Sequence, residues 1–191
     1  MDQTSFLSKN ELIALGLKNC GSNVKISRKA SLYGVENISI GTNVRIDDFC
    51  ILSGNITICN NVHIAAYSAL YGASEGIEIH DFANISSRVG IYAISDDFSG
   101  MSMTNPTIPN EYKLIYEKHV LIEKHAIIGT GSTILPGVKI AEGCAIGAMS
   151  LCKDSTIPWS IYAGIPAKKI NNRKNNLLKL EQAYISSKKL Q

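Results

Sequence analysis

The sequence predicts an all-β domain in which short strands wind into a parallel β-helix of six-residue repeats. Two observations carry that prediction. An aliphatic residue recurs every six positions: Ile40, Ile46, Leu52, Ile58, Ile64 and Leu70, then Ile79, Ile85 and Ile91, then Ile122, Ile128, Ile134, Ile140 and Ile146. Four residues after most of these stands a second, small or β-branched side chain, among them Val44, Cys50, Val62, Ser68, Ala83, Val89, Ser132 and Cys144. Neither the helical period of about 3.6 residues nor plain alternation produces this spacing. Two inward side chains and a tight turn, repeated three times, close one coil of a triangular prism. Coils then stack through parallel-strand hydrogen bonds roughly 4.8 Å apart.

In chain order, residues 1–34 read as an N-terminal cap segment. Its "SKNELIALGL" opens on a Ser8 capping signal for a short helix. Residues 35–170 form the β-helix, interrupted once by a loop at about 96–115. There "IYAISDDFSGMSMTNPTIPNEY" keeps Ile91 and Ser95 on the beat as inward residues and then abandons it. Pro106 and Pro109 deny the excursion a strand partner. The duplicated "YEKHVL" and "IEKHAI" mark a restart at Tyr116. Residues 171–191 read as a helix covering an exposed coil edge, with Leu177, Leu180 and Tyr184 at helical spacing.

Composition narrows the function classes. The chain has 191 residues, 45% hydrophobic and 18% charged, which suits one globular domain. A net charge of +3 without an Arg/Lys stripe argues against nucleic-acid binding. No apolar run is long enough to insert in a membrane and the N-terminus lacks a signal peptide, so a cytoplasmic location is expected. Five cysteines without a CxxC pair read as buried, reduced thiols.

Three stretches then acquire a shared meaning: "ILPGVKI", "AIGAMSLCKDSTIP" and "IYAGIPAKKI". With the beat, they resemble the hexapeptide-repeat acyltransferases over residues 35–170, in particular the branch of the maltose and galactoside acetyltransferases. The resemblance implies a left-handed winding and a homotrimer. It also implies acetyl-CoA as co-substrate in the groove between two prisms, with no metal. Matched to that branch, Thr130, Ala148 and Lys153 line the pantetheine arm, and Lys168 lies near the nucleotide phosphates. A small residue such as Ala148 suits close approach to the backbone, and lysines meet phosphates as flexible point charges.

Acyl transfer to a sugar hydroxyl needs a general base, for which histidine is suited. The chain has His63, His80, His119 and His125. It departs from the maltose branch at the catalytic histidine, where it carries Asp96, and at an asparagine, where it carries Tyr67. Its loop and following "EKH" are similar to those of surface-polysaccharide sugar acyltransferases. His125 is therefore the expected base and His63 the second candidate. Ser95, Asp96, Asp97, Asn84, Tyr67 and Arg88 are expected to hold the acceptor. If Tyr116 restarts the coil at the corner where it was broken, one face stacks Phe49, Tyr67, Arg88, His125 and Gly143. His63 then neighbours Asn84 on another.

The expected activity is acetyl-CoA-dependent O-acetylation of a sugar or nucleotide sugar in O-antigen or capsule biosynthesis. The alternative is N-acetylation of a nucleotide-linked amino sugar, and a second is a non-catalytic hexapeptide scaffold. A zinc hydratase on the same prism is disfavoured, because His119 and His125 are six residues apart and fall on successive faces.

Overall fold

The computed structural model describes residues 5–188, and in it the six-residue beat winds a solenoid of stacked parallel strands. A step of six residues moves the chain to the next of three faces, so every third repeat meets its equivalent one coil away. The first face aligns Ile40, Ile58, Ile79, Ile122 and Ile140. The second aligns Ile26, Ile46, Ile64, Ile85, Ile128 and Ile146, ending on Tyr162. The third aligns Leu32, Leu52, Leu70, Ile91 and Ile134, ending on Cys152.

These columns fill the prism. Ile46, Ile64, Ile85 and Ile128 are wholly buried, each burial contributing about 1.5–3 kcal/mol. The second inward column closes the gaps at the corners, with Val44, Cys50, Val62, Val89 and Cys144 buried. Inward serines find backbone acceptors: Ser68 Oγ donates to the Ser86 carbonyl at 2.9 Å and Ser132 Oγ to that of Gly147 at 3.0 Å.

Each tight corner forces one residue into the left-handed region. Between the first and second faces these are Asn23, Asn43, Asn61, Phe82, His125, Gly143 and Trp159; between the second and third they are Phe49, Tyr67, Arg88, Gly131 and Met149. Asparagine tolerates that conformation and here also bonds along the column, Asn43 Nδ2 donating to Asn61 Oδ1 at 2.7 Å.

The ends differ from expectation. Parallel pairing already starts at Asn19, so the first coil lies inside the segment read as a cap. Before it, α1 (Lys9–Ala14) carries the full capping box of Ser8 and Glu11. At the other end, α2 (Leu177–Lys188) lies along the corner between the first and second faces. Tyr184 meets Asn61 and Phe82 there, and Glu181 meets Lys124 and His125. The C-terminal edge of the prism is instead lined by an antiparallel hairpin of Ser160–Gly164 with Ala167–Asn172. Arg173 follows, its guanidinium donating to the carbonyls of His125 and Gly143 at 2.9 and 3.0 Å.

The interruption also differs. Ala93, wholly buried, is the last inward residue; Ser95 instead lies across from Tyr116 where Ile94–Asp96 pairs antiparallel with Ile115–Glu117. The Lys118 amide donates to the Ala93 carbonyl at 2.9 Å and closes the base of the excursion. The chain then resumes on the first face, Val120–Ile122 pairing with residues 77–79. A restart in the assumed phase would have set Ile122 beside Ile85. The shift of one face takes His125 away from Arg88 and Tyr67 and stacks it on Phe82, ring centroids 5.1 Å apart.

Candidate active site

The corner between the second and third faces is built from the residues that follow each inward aliphatic. Ser86, Gly129, Gly147 and Ala163 succeed one another coil by coil, and beside them run Ser87, Thr130, Ala148 and Gly164. Thr130 Oγ1 donates to the Ser87 carbonyl at 2.7 Å, and the Met149 amide donates to the Thr130 carbonyl at 2.8 Å. A Cβ on Gly129 would stand 2.5 Å from the Ala148 nitrogen, so only glycine fits this close stacking. Thr130 and Ala148 thus come together one coil apart on one corner. Lys168, paired with Ala163 across the final hairpin, stands at its C-terminal end. Lys153 lies at the far edge of the third face, 3.4 Å from Asp154.

The loop has a different root, where the third face gives way to the first. A cleft of about 360 Å³ opens there between residues 95–98 and 114–116. The two adjacent aspartates play unlike parts. Asp97 accepts from the Ser99 amide at 2.8 Å, from the Ser102 amide at 3.0 Å and from the Ser102 hydroxyl at 3.2 Å. Those bonds, first of all from Ser99, lower its carboxyl to about 2. Asp96 is exposed, and its carboxylate has no hydrogen-bond or ion-pair partner among the described residues.

The histidines separate. His63 lies on the second face, its Nε2 2.8 Å from Asp47 and its Nδ1 3.1 Å from Asn84, so the expected neighbour is present. His125 lies under α2, 8% exposed, with Nε2 2.7 Å from Glu181 Oε2. It borders a cavity of about 440 Å³ between that helix and the prism. Among the described residues no group of three or more His, Cys, Asp or Glu is placed to hold a metal ion. Burial pushes the Cys50 thiol up and that of Cys152 to about 11, which suits neither for nucleophilic attack. Ser86 carries no sequence motif; its place is visible only once the coils are in register.

Residues 119–154 match the family model described as bacterial transferase hexapeptide (six repeats). The chain is 49% identical, over 94% of its length and 95% of the relative's, to a protein of Escherichia coli named dTDP-4-amino-4,6-dideoxy-D-glucose acyltransferase. It is 29% identical, over 75% of its length and 72% of the relative's, to the putative lipopolysaccharide biosynthesis O-acetyl transferase WbbJ of Escherichia coli strain K12. Its fold superposes with a TM-score of 0.96 and 53% identity on AntD, an N-acyltransferase from Bacillus cereus in complex with dTDP and 3-hydroxybutyryl-CoA, covering 98% of this chain and 100% of that one. Other AntD structures hold dTDP-4-amino-4,6-dideoxyglucose and coenzyme A. With likeness running from end to end of both chains, this protein belongs to the hexapeptide-repeat acyltransferases.

Proposed function

We propose that this enzyme transfers an acyl group from a coenzyme A thioester to the amine of a nucleotide-linked amino sugar, of the dTDP-4-amino-4,6-dideoxyglucose class. The observation that carries this reading is Asp96, a carboxylate held at the root of the loop with no hydrogen-bond or ion-pair partner among the described residues. Solved AntD variants alter a serine and an aspartate ten positions apart. This chain has that spacing twice, as Ser86 with Asp96 and as Ser87 with Asp97. Asp97 is spent holding the loop, so the functional pair is Ser86 and Asp96. The amine acceptor gains further support because the relative named for an amino sugar matches at 49% and the N-acyltransferase solved with dTDP-4-amino-4,6-dideoxyglucose at 53%, against 29% for the O-acetyl transferase.

The chemistry is a direct displacement. The amine lone pair attacks the thioester carbonyl, forming the C–N bond and moving the π pair onto oxygen. The tetrahedral intermediate then collapses, the C–S bond breaks and coenzyme A leaves as thiolate. The nitrogen that has attacked carries a proton acidic enough for a carboxylate. Asp96 takes that proton and passes it towards the departing sulfur. The Ser86 hydroxyl donates to the developing oxyanion. Asp96 replaces His125 as base in this reading, because Glu181 already occupies the His125 Nε2.

Coenzyme A runs along the small-residue corner past Thr130 and Ala148, with Lys168 towards its phosphates; Lys153 of the neighbouring edge meets the arm from the side. Ser86 and Asp96 leave the prism at different corners. The site is therefore shared in a homotrimer, the loop of one copy overlying the corner of the next. The location proposed is the cytoplasm, where coenzyme A thioesters and nucleotide sugars are made.

Mass spectrometry of reactions containing acetyl- or 3-hydroxybutyryl-CoA and dTDP-4-amino-4,6-dideoxyglucose tests the proposal. The expected product is the N-acylated nucleotide sugar. Acylation only of sugars that lack an amine would return the reading to a hydroxyl acceptor.

A further inference from the structure

The corner that carries Ser86 changes character at Arg88. Towards the C-terminus it is lined by glycine, alanine and threonine, and the column itself continues as Gly131 and the exposed Met149. Towards the N-terminus each coil instead contributes one large side chain: Arg88, Tyr67, Phe49 and Lys29. The Phe49 and Tyr67 rings stack with centroids 4.9 Å apart and planes inclined by 21°. Lys29 Nζ stands 5.3 Å from the Phe49 centroid and the Arg88 guanidinium 5.8 Å from that of Tyr67.

Both aromatic residues are in the left-handed region, at φ 60° and 65°, a conformation that bulky side chains adopt only at a cost. The corner under α2 uses the same device, with Phe82 stacked on His125 at φ 61° and 59°. There the chain supplies the cover: Tyr184 packs edge-on against Phe82, and His125 is buried. Phe49 and Tyr67 have no such cover among the described residues and remain 46% and 56% exposed.

Charge indicates what belongs on them. Asp48, beside Phe49, is neutralised by Lys29 at 3.0 Å and accepts from Ser27 Oγ at 2.5 Å. Asp47 is taken by Arg45 and His63. Arg88 has no ion-pair or hydrogen-bond partner for its guanidinium among the described residues, and it lies two residues from Ser86. One side of the corner is therefore aromatic and bare, and its end nearest the reacting groups is cationic.

We propose that this column is the nucleotide subsite: the pyrimidine base of a nucleoside diphosphate lies across the exposed edges of Phe49 and Tyr67, and Arg88 binds the diphosphate. Ring edges attract the face of a flat heterocycle, and a guanidinium matches phosphate oxygens in a two-pronged pair. Acceptor and coenzyme then approach Ser86 from opposite ends of one corner. This rests on the acceptor being a nucleotide-linked sugar.

The test is calorimetric titration of dTDP, and separately of coenzyme A, into the wild type and the Tyr67→Asn and Arg88→Gln variants, with light scattering on each. Asparagine keeps the left-handed backbone at position 67 while removing the ring, which guards the fold. Each variant is expected to weaken dTDP binding roughly ten-fold or more and to leave coenzyme A binding and the oligomer unchanged. Wild-type dTDP affinity in both variants overturns the subsite while leaving the amine-acyltransferase reading intact. Dissociation of the oligomer in Tyr67→Asn also overturns it, assigning the column to a second copy of the chain. A wild type that binds no dTDP overturns both readings together.

Discussion

His125 Nε2 and Glu181 Oε2 stand 2.7 Å apart, and through this contact the C-terminal helix is fastened to the side of the prism. Lys124 Nζ reaches the other Glu181 oxygen at 2.6 Å. Burial pushes the Glu181 carboxyl up, but the bonds from Lys124 and His125 outweigh it and hold it below its ordinary value. A carboxyl lowered in the folded state stabilises above its unfolded value and loses that contribution as pH falls through the folded one.

The helix should therefore loosen on acidification below 4.5, the ordinary glutamate value, while the prism stays wound. Hydrogen exchange across residues 177–188 is expected to be slow at neutral pH and fast in acid. In Glu181→Gln it should be fast at both.

Replacing His125 by alanine separates anchoring from catalysis. Faster exchange in α2 with turnover within a few-fold of wild type is the expected result. A fall of roughly 10²–10⁴ in kcat, with the helix still protected, would return the base to His125.

Asp96 and Asp97 should fail differently. Asp96→Asn is expected to lower kcat by roughly 10²–10⁴ and leave the loop resistant to protease. Asp97→Asn should expose the loop to cleavage and act mainly on KM. The Asp97 carboxyl is lowered to about 2, so its hold on the Ser99 and Ser102 amides is complete above the ordinary aspartate range and lost only as pH falls towards that value.

The proposed sharing of the site between copies makes a stricter demand. Ser86→Ala and Asp96→Asn chains, each nearly inactive alone, should regain activity when unfolded together and reassembled. One intact corner then meets one intact loop. Mixtures no more active than their components would place both groups in a single chain.

Gly129→Ala tests the close stacking of the small-residue corner. Its new methyl would lie 2.5 Å from the Ala148 nitrogen and 2.7 Å from the Ile146 oxygen, both backbone atoms that cannot step aside. A loss of about 1–3 kcal/mol in a denaturant titration is expected, with weaker coenzyme A binding.

Much of this architecture is legible in the sequence because each coil needs the same thing at the same place. One aliphatic every six residues is the prism's main means of filling its interior, so the columns through Ile46, Ile64 and Ile85 could be read directly. The stacking of Thr130 below Ala148 follows from counting within an unbroken stretch, and the pairing of His63 with Asn84 from counting across the short insertion before Ile79. Counting fails across the loop. The spacing of Ile122, Ile128 and Ile134 is the same whichever face the chain rejoins, and the phase is set by the Lys118 bond to Ala93. That is why His125 could not be placed, nor the corner that α2 covers. The division of labour between Asp96 and Asp97 was equally hidden, since it depends on which carboxylate the loop turns inward.

The excursion departs after the third face and returns on the first, the face that comes next in any case. The number of turns is thus indifferent to what happens between Ala93 and Lys118, as a coil of rope is indifferent to slack pulled out at one side. The same corner already takes nine residues from Leu70 to Ile79 against six from Leu52 to Ile58, and every later aliphatic still points inward. At this corner, length and composition are free to vary without rewinding the rest.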